Sequence, residues 1–115
     1  MIRAHRRYDF YLVDMQLSME RILKYTDGIS YSEFTGNSLI RDAVIRNFEI
    51  IGESVKHVPY KFQRKYKNLP WSHMFALRNF IVHEYFDIDD DILWSIIQHD
   101  LQNNLNTIKR IIQQA

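Results

Sequence analysis

The stretch "NSLIRDAVIRNFEIIGESVK", residues 37–56, places Ile40, Val44, Phe48, Ile51 and Val55 at steps of three and four, with Ala43 and Ile50 beside them. Such steps return apolar groups to one side of a helix of about 3.6 residues per turn. Asn37 or Ser38 can cap its start, because a short polar side chain there accepts a hydrogen bond from a free backbone N–H. A helix with this much apolar surface needs neighbours, so residues 37–56 are expected to be the central core helix of an all-α protein.

Working outward, Tyr8, Leu12, Met15, Met19 and Ile22 mark a first long helix, closed by Asp27-Gly28. Ser30 and Glu33 have capping-box spacing, which predicts a short helix ending near Gly36. Pro59 and Pro70 each suit a first helical position, where the missing N–H is not needed. They predict a short basic helix from Tyr60 to Tyr66 and another helix from Trp71 to about Glu84. The acidic run "DIDDD", residues 87–91, can cap a last helix through favourable charge at its N-terminus, running to about Ile112. Its core face reads Leu93, Ile97, Leu101, Leu105, Ile108 and Ile112, while Ile92, Trp94, Ile96 and Ile111 fall outside that stripe. Four long amphipathic helices with short connections predict an antiparallel, up-and-down bundle of four to five principal helices in one domain over residues 1–115. The surplus apolar positions predict a homodimer, two-fold dimers being the commonest oligomer.

Composition agrees with a compact helical domain. The 115 residues are 46% hydrophobic with three Gly and two Pro, which argues against disorder and against a turn-rich strand protein. Cysteine is absent, so disulfides and thiolate metal sites are excluded. No segment approaches the roughly 18 apolar residues of a membrane span, and the start lacks the apolar core of a signal peptide. The expectation is an unprocessed cytoplasmic protein with no membrane association. His5, His57, His73 and His99 lack ligand spacing, so neither metal nor cofactor is expected. Net charge is only +1, but "KHVPYKFQRKYK", residues 56–67, interleaves five cations with Tyr60, Phe62 and Tyr66 and contains no acid. That pattern fits RNA, or equally a solvated helix whose aromatics point inward.

The segment with most chemistry is "LRNFIVHEYF", residues 77–86, where Arg78, Asn79, His83 and Tyr85 interrupt an apolar run. At about 100° per residue, Arg78 and His83 point about 140° apart. They converge on one point only if the helix frays near His83 or if a two-fold axis brings in a second copy. A neutral imidazole can take the proton of a 2′-OH as it attacks phosphorus, and a guanidinium can stabilise the charge growing on the phosphoryl oxygens. From spacing alone the same residues also suit a structural pair, with Arg78 held by Glu49 or Glu53 and His83 capping the helix. For Tyr85 the structural alternative is a packed ring with its hydroxyl on a backbone carbonyl.

The string Arg78-Asn79-Phe80-Ile81-Val82-His83-Glu84-Tyr85 resembles the R-x(4–6)-H signature of HEPN domains, in the form found in HepT toxins of type VII HepT–MntA toxin–antitoxin pairs. "RDAVIRNFEIIGES", residues 41–54, is similar to the family's central helix, "LPWSHMFALRNFIVHEYFDID" to its Pro-Trp entry and motif helix, and "ILWSIIQHDL" to its continuation. The resemblance implies a metal-independent endoribonuclease that cleaves RNA in a cleft between two subunits. Arg78 and His83 would be catalytic, and Asn79 would assist positioning. Tyr85 matches the tyrosine to which an MntA-like nucleotidyltransferase antitoxin adds AMP. Arg46, Glu49 and Glu53 on the central helix could form supporting hydrogen bonds to Arg78 or to the partner, or equally make plain salt bridges. The alternative is a non-catalytic helical module that binds nucleotide and pairs with a nucleotidyltransferase.

Overall fold

In a computed structural model, which describes residues 7–114, the described residues form seven α-helices and one 3-10 turn, with no strand. The helices are α1 (Tyr8–Thr26), α2 (Tyr31–Gly36), α3 (Ser38–Lys56), α4 (Tyr60–Lys65), α5 (Trp71–His83), α6 (Asp90–His99) and α7 (Leu101–Gln114), and the turn is Tyr85–Asp87. The all-α class expected from the periodicity is the class observed. His5 lies outside the described residues.

Helix ends follow local chemistry. Gly28, at φ +73°, takes the left-handed conformation that stops the chain after α1. The Ser30 hydroxyl accepts from the Glu33 N–H and the Glu33 carboxylate accepts from the Ser30 N–H, both at 3.0 Å, so the capping box forms as expected. Asn37 caps α3 by accepting from the Ile40 N–H at 3.2 Å. Asp89 caps α6 by accepting from the Asp91 N–H at 2.8 Å. Pro59 and Pro70 sit one residue earlier than expected, at the caps rather than inside α4 and α5. Pro59, at φ −56° and ψ 140°, is extended, and the helical turn starts only after it.

The central place of α3 is as expected: it packs against α1 and α5, while α7 packs on α1. Neighbours run antiparallel. Tyr11, early in α1, stacks on His57 just past the end of α3 with ring centroids 4.4 Å apart. Asp42 and Ile45, early in α3, share a cleft with Ile81 and Val82 at the end of α5. Lys109, late in α7, pairs with Glu20, late in α1, at 3.8 Å, and Ile112 beyond it lines a cleft with Tyr8 and Leu12. The core joins Leu12, Met15, Met19 and Ile22 of α1 to Val44, Phe48, Ile51 and Val55 of α3. Burying a side chain of this size contributes about 1.5–3 kcal/mol, so this seam is one of the large contributions to cohesion.

The last helix is not continuous. It breaks at Asp100, whose φ of −119° and ψ of −34° separate α6 from α7. The Asp100 N–H still reaches the Ile96 carbonyl at 2.9 Å, and the Asn104 N–H reaches the Asp100 carbonyl at 2.9 Å. Between them the Leu101, Gln102 and Asn103 N–H groups make no backbone hydrogen bond to a described residue, so the chain bends where three i→i−4 bonds are missing. The apolar stripe continues across the bend, with Leu93, Ile97, Leu101, Leu105 and Ile108 buried as expected, while at the end of α7 Ile111 is buried and Ile112 only partly so. Part of the apolar surplus is also satisfied internally, since Trp94 stacks on Phe34 with centroids 5.4 Å apart and meets the Tyr31 ring edge-on at 6.0 Å. Ile92 remains exposed.

Gly52 sets the approach of α3 to α5. A Cβ at that position would lie 2.2 Å from the Arg78 Cβ and 2.6 Å from the Met74 carbonyl oxygen. Glycine inside an exposed helix is worse than alanine by about 1 kcal/mol, so its presence here is explained by the contact. Gly52→Ala is expected to lower stability by about 1–3 kcal/mol through overpacking, because a backbone carbonyl cannot rotate away. Urea unfolding checks this; equal or greater stability in the variant would mean that the helices can separate without cost.

Candidate active site at the contact of α3 and α5

The approach at Gly52 places Arg78 against α3. Its Nη2 meets a Glu53 carboxylate oxygen at 2.9 Å, and its Nη1 donates to Asn79 Oδ1 at 2.8 Å. Nε is buried without a hydrogen-bond partner in the protein. The side chain is 21% exposed, so the guanidinium is fixed on its inner side and reachable on its outer side. Of the two carboxylates considered from sequence, Glu53 is the partner. Glu49 pairs instead with Arg46, one turn back on α3, at 3.3 Å.

His83 lies at the last position of α5, exposed, with no hydrogen bond or ion pair to any described residue. The helix stays regular through it, and the Glu84 N–H closes the final turn on the Phe80 carbonyl at 2.7 Å. Fraying therefore does not bring Arg78 and His83 together. In a regular helix the two point about 140° apart, one toward α3 and the other to solvent. Asn79 is drawn to Arg78, so it orients the guanidinium rather than the imidazole.

Tyr85 begins the 3-10 turn that follows α5, a turn not anticipated from sequence. Its ring is 41% exposed and stands edge-on to Phe86, with centroids 5.6 Å apart. Its hydroxyl donates to Asp42 Oδ1 at 3.3 Å, so the backbone-carbonyl alternative is not what forms. Tyr85 also lines a cleft of about 400 Å³ with Asp42, Ile45, Arg46, Glu49, Ile81 and Val82. Two residues absent from the expected set, Gly52 and Asp42, thus shape this region. A mid-helix glycine was a legible signal of close packing; Asp42, far in sequence from Tyr85, left none.

The acidic turn before α6 is anchored from two sides. Arg41 Nε bonds Asp90 at 2.7 Å, both side chains being partly buried. The Tyr31 hydroxyl donates to Asp91, and that bond, with the negative charge of Asp91, Asp90 and Asp89, pushes the phenol up to about 12. These ties hold the segment that carries Tyr85 and Phe86 beside α3. Around it Phe80, Val82, Phe86 and Ile92 are exposed, Phe86 at 96%. Among the described residues, His57, His73 and His99 do not gather with one another or with acids into a group able to hold a metal ion.

The fold defines the class first: an all-α domain in which a partly exposed guanidinium, an exposed imidazole and an exposed phenol lie along the second half of α5 and the turn after it. Residues 15–114 match the family described as HepT-like, "Ribonuclease HepT-like", and the chain belongs to that family. The chain is 42% identical to "Putative RNase MJ1380" of Methanocaldococcus jannaschii over 79% of its own length and 84% of the relative's. It is 36% identical to "Putative RNase MJ0127" of the same organism, over 90% and 85% of the two chains. It is 35% identical to "Probable ribonuclease HepT" of Thermococcus cleftensis, over 88% and 89%. No solved structure matches the chain significantly.

Whether Arg78 serves the fold or the chemistry is measurable. The Arg78–Glu53 pair is part-exposed, with side-chain exposures of 21% and 43%. Exposed pairs couple by about 0.2–1 kcal/mol. A double-mutant cycle with Arg78→Ala and Glu53→Ala, read by urea unfolding, is expected to give a coupling in that range. A coupling well above about 2 kcal/mol would mark the arginine as a structural strut.

Proposed function

We propose that this protein is the toxin of a type VII HepT–MntA toxin–antitoxin system, a metal-independent endoribonuclease acting as a homodimer. The observation that carries this reading is the state of the two motif side chains: Arg78 is held in place yet reachable, and His83 is exposed and uncommitted. The family match and the names of the relatives support ribonuclease chemistry. Because α5 is regular through His83, one protomer does not aim both groups at one phosphate. A second copy related by a two-fold axis supplies the missing group, and exposed Phe80, Val82 and Phe86 offer apolar surface for that contact.

In this cleft, neutral His83 takes the proton of the ribose 2′-OH as the oxygen attacks the adjacent phosphorus. The bond to the 5′-oxygen breaks, and the other subunit's imidazolium protonates that leaving oxygen. The products are a 2′,3′-cyclic phosphate and a 5′-hydroxyl. Arg78 stabilises the charge on the phosphoryl oxygens, with Asn79 and Glu53 holding its plane. The scheme calls on no metal ion.

The antitoxin is a nucleotidyltransferase that adds AMP to Tyr85. The phenol oxygen attacks the α-phosphorus of ATP, pyrophosphate leaves, and the phenol proton passes to a base, a role open to Asp42, to which the hydroxyl already donates. An anionic adduct two residues from His83 blocks RNA and cancels local positive potential.

The bonding of Arg78 to Glu53 and Asn79 favours a second reading, in which the dimer binds nucleotide and its partner but breaks no bond. RNA incubated with purified, unmodified protein separates the two. Under the first, 2′,3′-cyclic ends accumulate and fall by about 100-fold or more in His83→Ala and in Arg78→Ala, while light scattering gives twice the 14.0 kDa chain mass. Intact RNA, or cleavage undiminished in both variants, rejects catalysis at this site. Co-expression with a neighbouring nucleotidyltransferase is expected to add AMP increments to the intact mass, and Tyr85→Phe abolishes them; increments that persist in that variant place the modification elsewhere.

A further inference from the structure

We infer that α4, with the cleft it forms against α3 and α5, is a second RNA-binding surface that holds single-stranded substrate at a distance from the catalytic end of α5. The inference rests on the ribonuclease reading for its ligand, and on the following features for its place.

From Ser54 to His83 the chain contains no acid. Within that span Lys56, Lys61, Arg64, Lys65 and Lys67 are all exposed, and none makes an ion pair with a described residue. The neighbouring carboxylate, Glu53, is already engaged by Arg78 at 2.9 Å and approached by His57 at 3.7 Å. The positive charge of this surface is therefore not neutralised within the domain.

The aromatics divide between core and solvent. Phe62 and Tyr66 turn inward, with Phe62 against Tyr8 at 4.9 Å and edge-on to Trp71 at 6.5 Å between centroids. Tyr60 does the opposite: it is 70% exposed, with the Arg64 guanidinium 5.0 Å from its ring centroid. An exposed π-face beside a guanidinium is a platform on which a base can stack while the cation meets its phosphate. Next to it lies a cleft of about 530 Å³, whose lining includes Lys56, Tyr60, Gln63, Trp71 and Phe75. The cleft is preformed, because Gln63 Nε2 donates to the Val58 and Val55 carbonyls at 3.1 and 3.2 Å and pins α4 to the end of α3.

Single-stranded RNA fits these features better than an acidic protein does, since a polyanion with flat, stackable faces uses both the cations without an ion pair and the face of the exposed Tyr60 ring that Arg64 leaves open. Trp71 and His83 are the two ends of α5, which at about 1.5 Å per residue puts this surface roughly 18 Å from His83. Only a strand of several nucleotides reaches from one to the other.

The test uses full-length His83→Ala protein, to prevent cleavage, and a fluorescent single-stranded oligouridylate roughly 12 nucleotides long. Adding Lys61→Ala, Arg64→Ala and Lys65→Ala together is expected to weaken binding by about tenfold or more at moderate salt. It should also reduce the slope of log affinity against log salt by about 2. Tyr60→Ala alone is expected to cost about tenfold, with Tyr60→Phe close to the parent. In the active background the triple variant should raise KM for long RNA and leave cleavage of a dinucleotide unchanged. Circular dichroism establishes that the variants are folded. Unchanged affinity and salt slope overturn the inference. So does unchanged RNA binding with lost binding of the nucleotidyltransferase, which would make α4 a protein-docking surface. If the wild-type protein cleaves nothing while the triple variant still loses RNA, the binding surface stands and the nuclease reading falls.

Discussion

The close approach of α3 and α5 at Gly52 is the constraint on which the rest of the molecule depends. With hydrogen in place of a side chain, the helices come near enough for the Arg78 stem to lie where a Cβ would be. The same approach delivers the guanidinium to Glu53 and brings the end of α5 beside the start of α3, where Tyr85 finds Asp42. A wider separation would leave Arg78 as one more mobile surface cation. Packing and site geometry are therefore one interaction, and the local helix-propensity cost of glycine is offset by contact between helices.

Charge is arranged along α5 rather than spread evenly. Its first turn adjoins the unpaired cations of α4, and its last turn leads to the acidic run before α6, which is itself tied down by Arg41 and Tyr31. The near-zero net charge conceals this polarity, since charge counted over a whole chain carries no information about position. The anchored acidic turn also leaves Phe86 facing solvent next to Tyr85. A domain that needed only to be stable would gain by turning that ring inward.

Much of the fold was legible because its signals are local. Ser30 with Glu33, Asn37 with Ile40, and Asp89 with Asp91 each form the cap that their spacing specifies, since a cap involves residues within one turn. The apolar faces of α1 and α3 were equally legible, because periodicity within one unbroken helix is a local property. Legibility failed at Asp100, where three backbone bonds are missing and the helix expected to run unbroken to about Ile112 divides in two. It failed also for Trp94, whose partners Phe34 and Tyr31 lie on a distant element.

The sequence by itself determined the helical class, most of the helix ends and the central helix, which follow from chemistry within a few positions along the chain; Arg78, Asn79, His83 and Tyr85 stood out in it as a site only through a family resemblance. Tertiary structure alone decided which carboxylate Arg78 meets, that Tyr85 faces Asp42, that Tyr60 is exposed while Phe62 and Tyr66 pack partly buried against the core, and that His83 points away from Arg78. The physical reason is that such contacts depend on the distance and rotation between helices, which are set by packing across the whole core and are not encoded in any single segment.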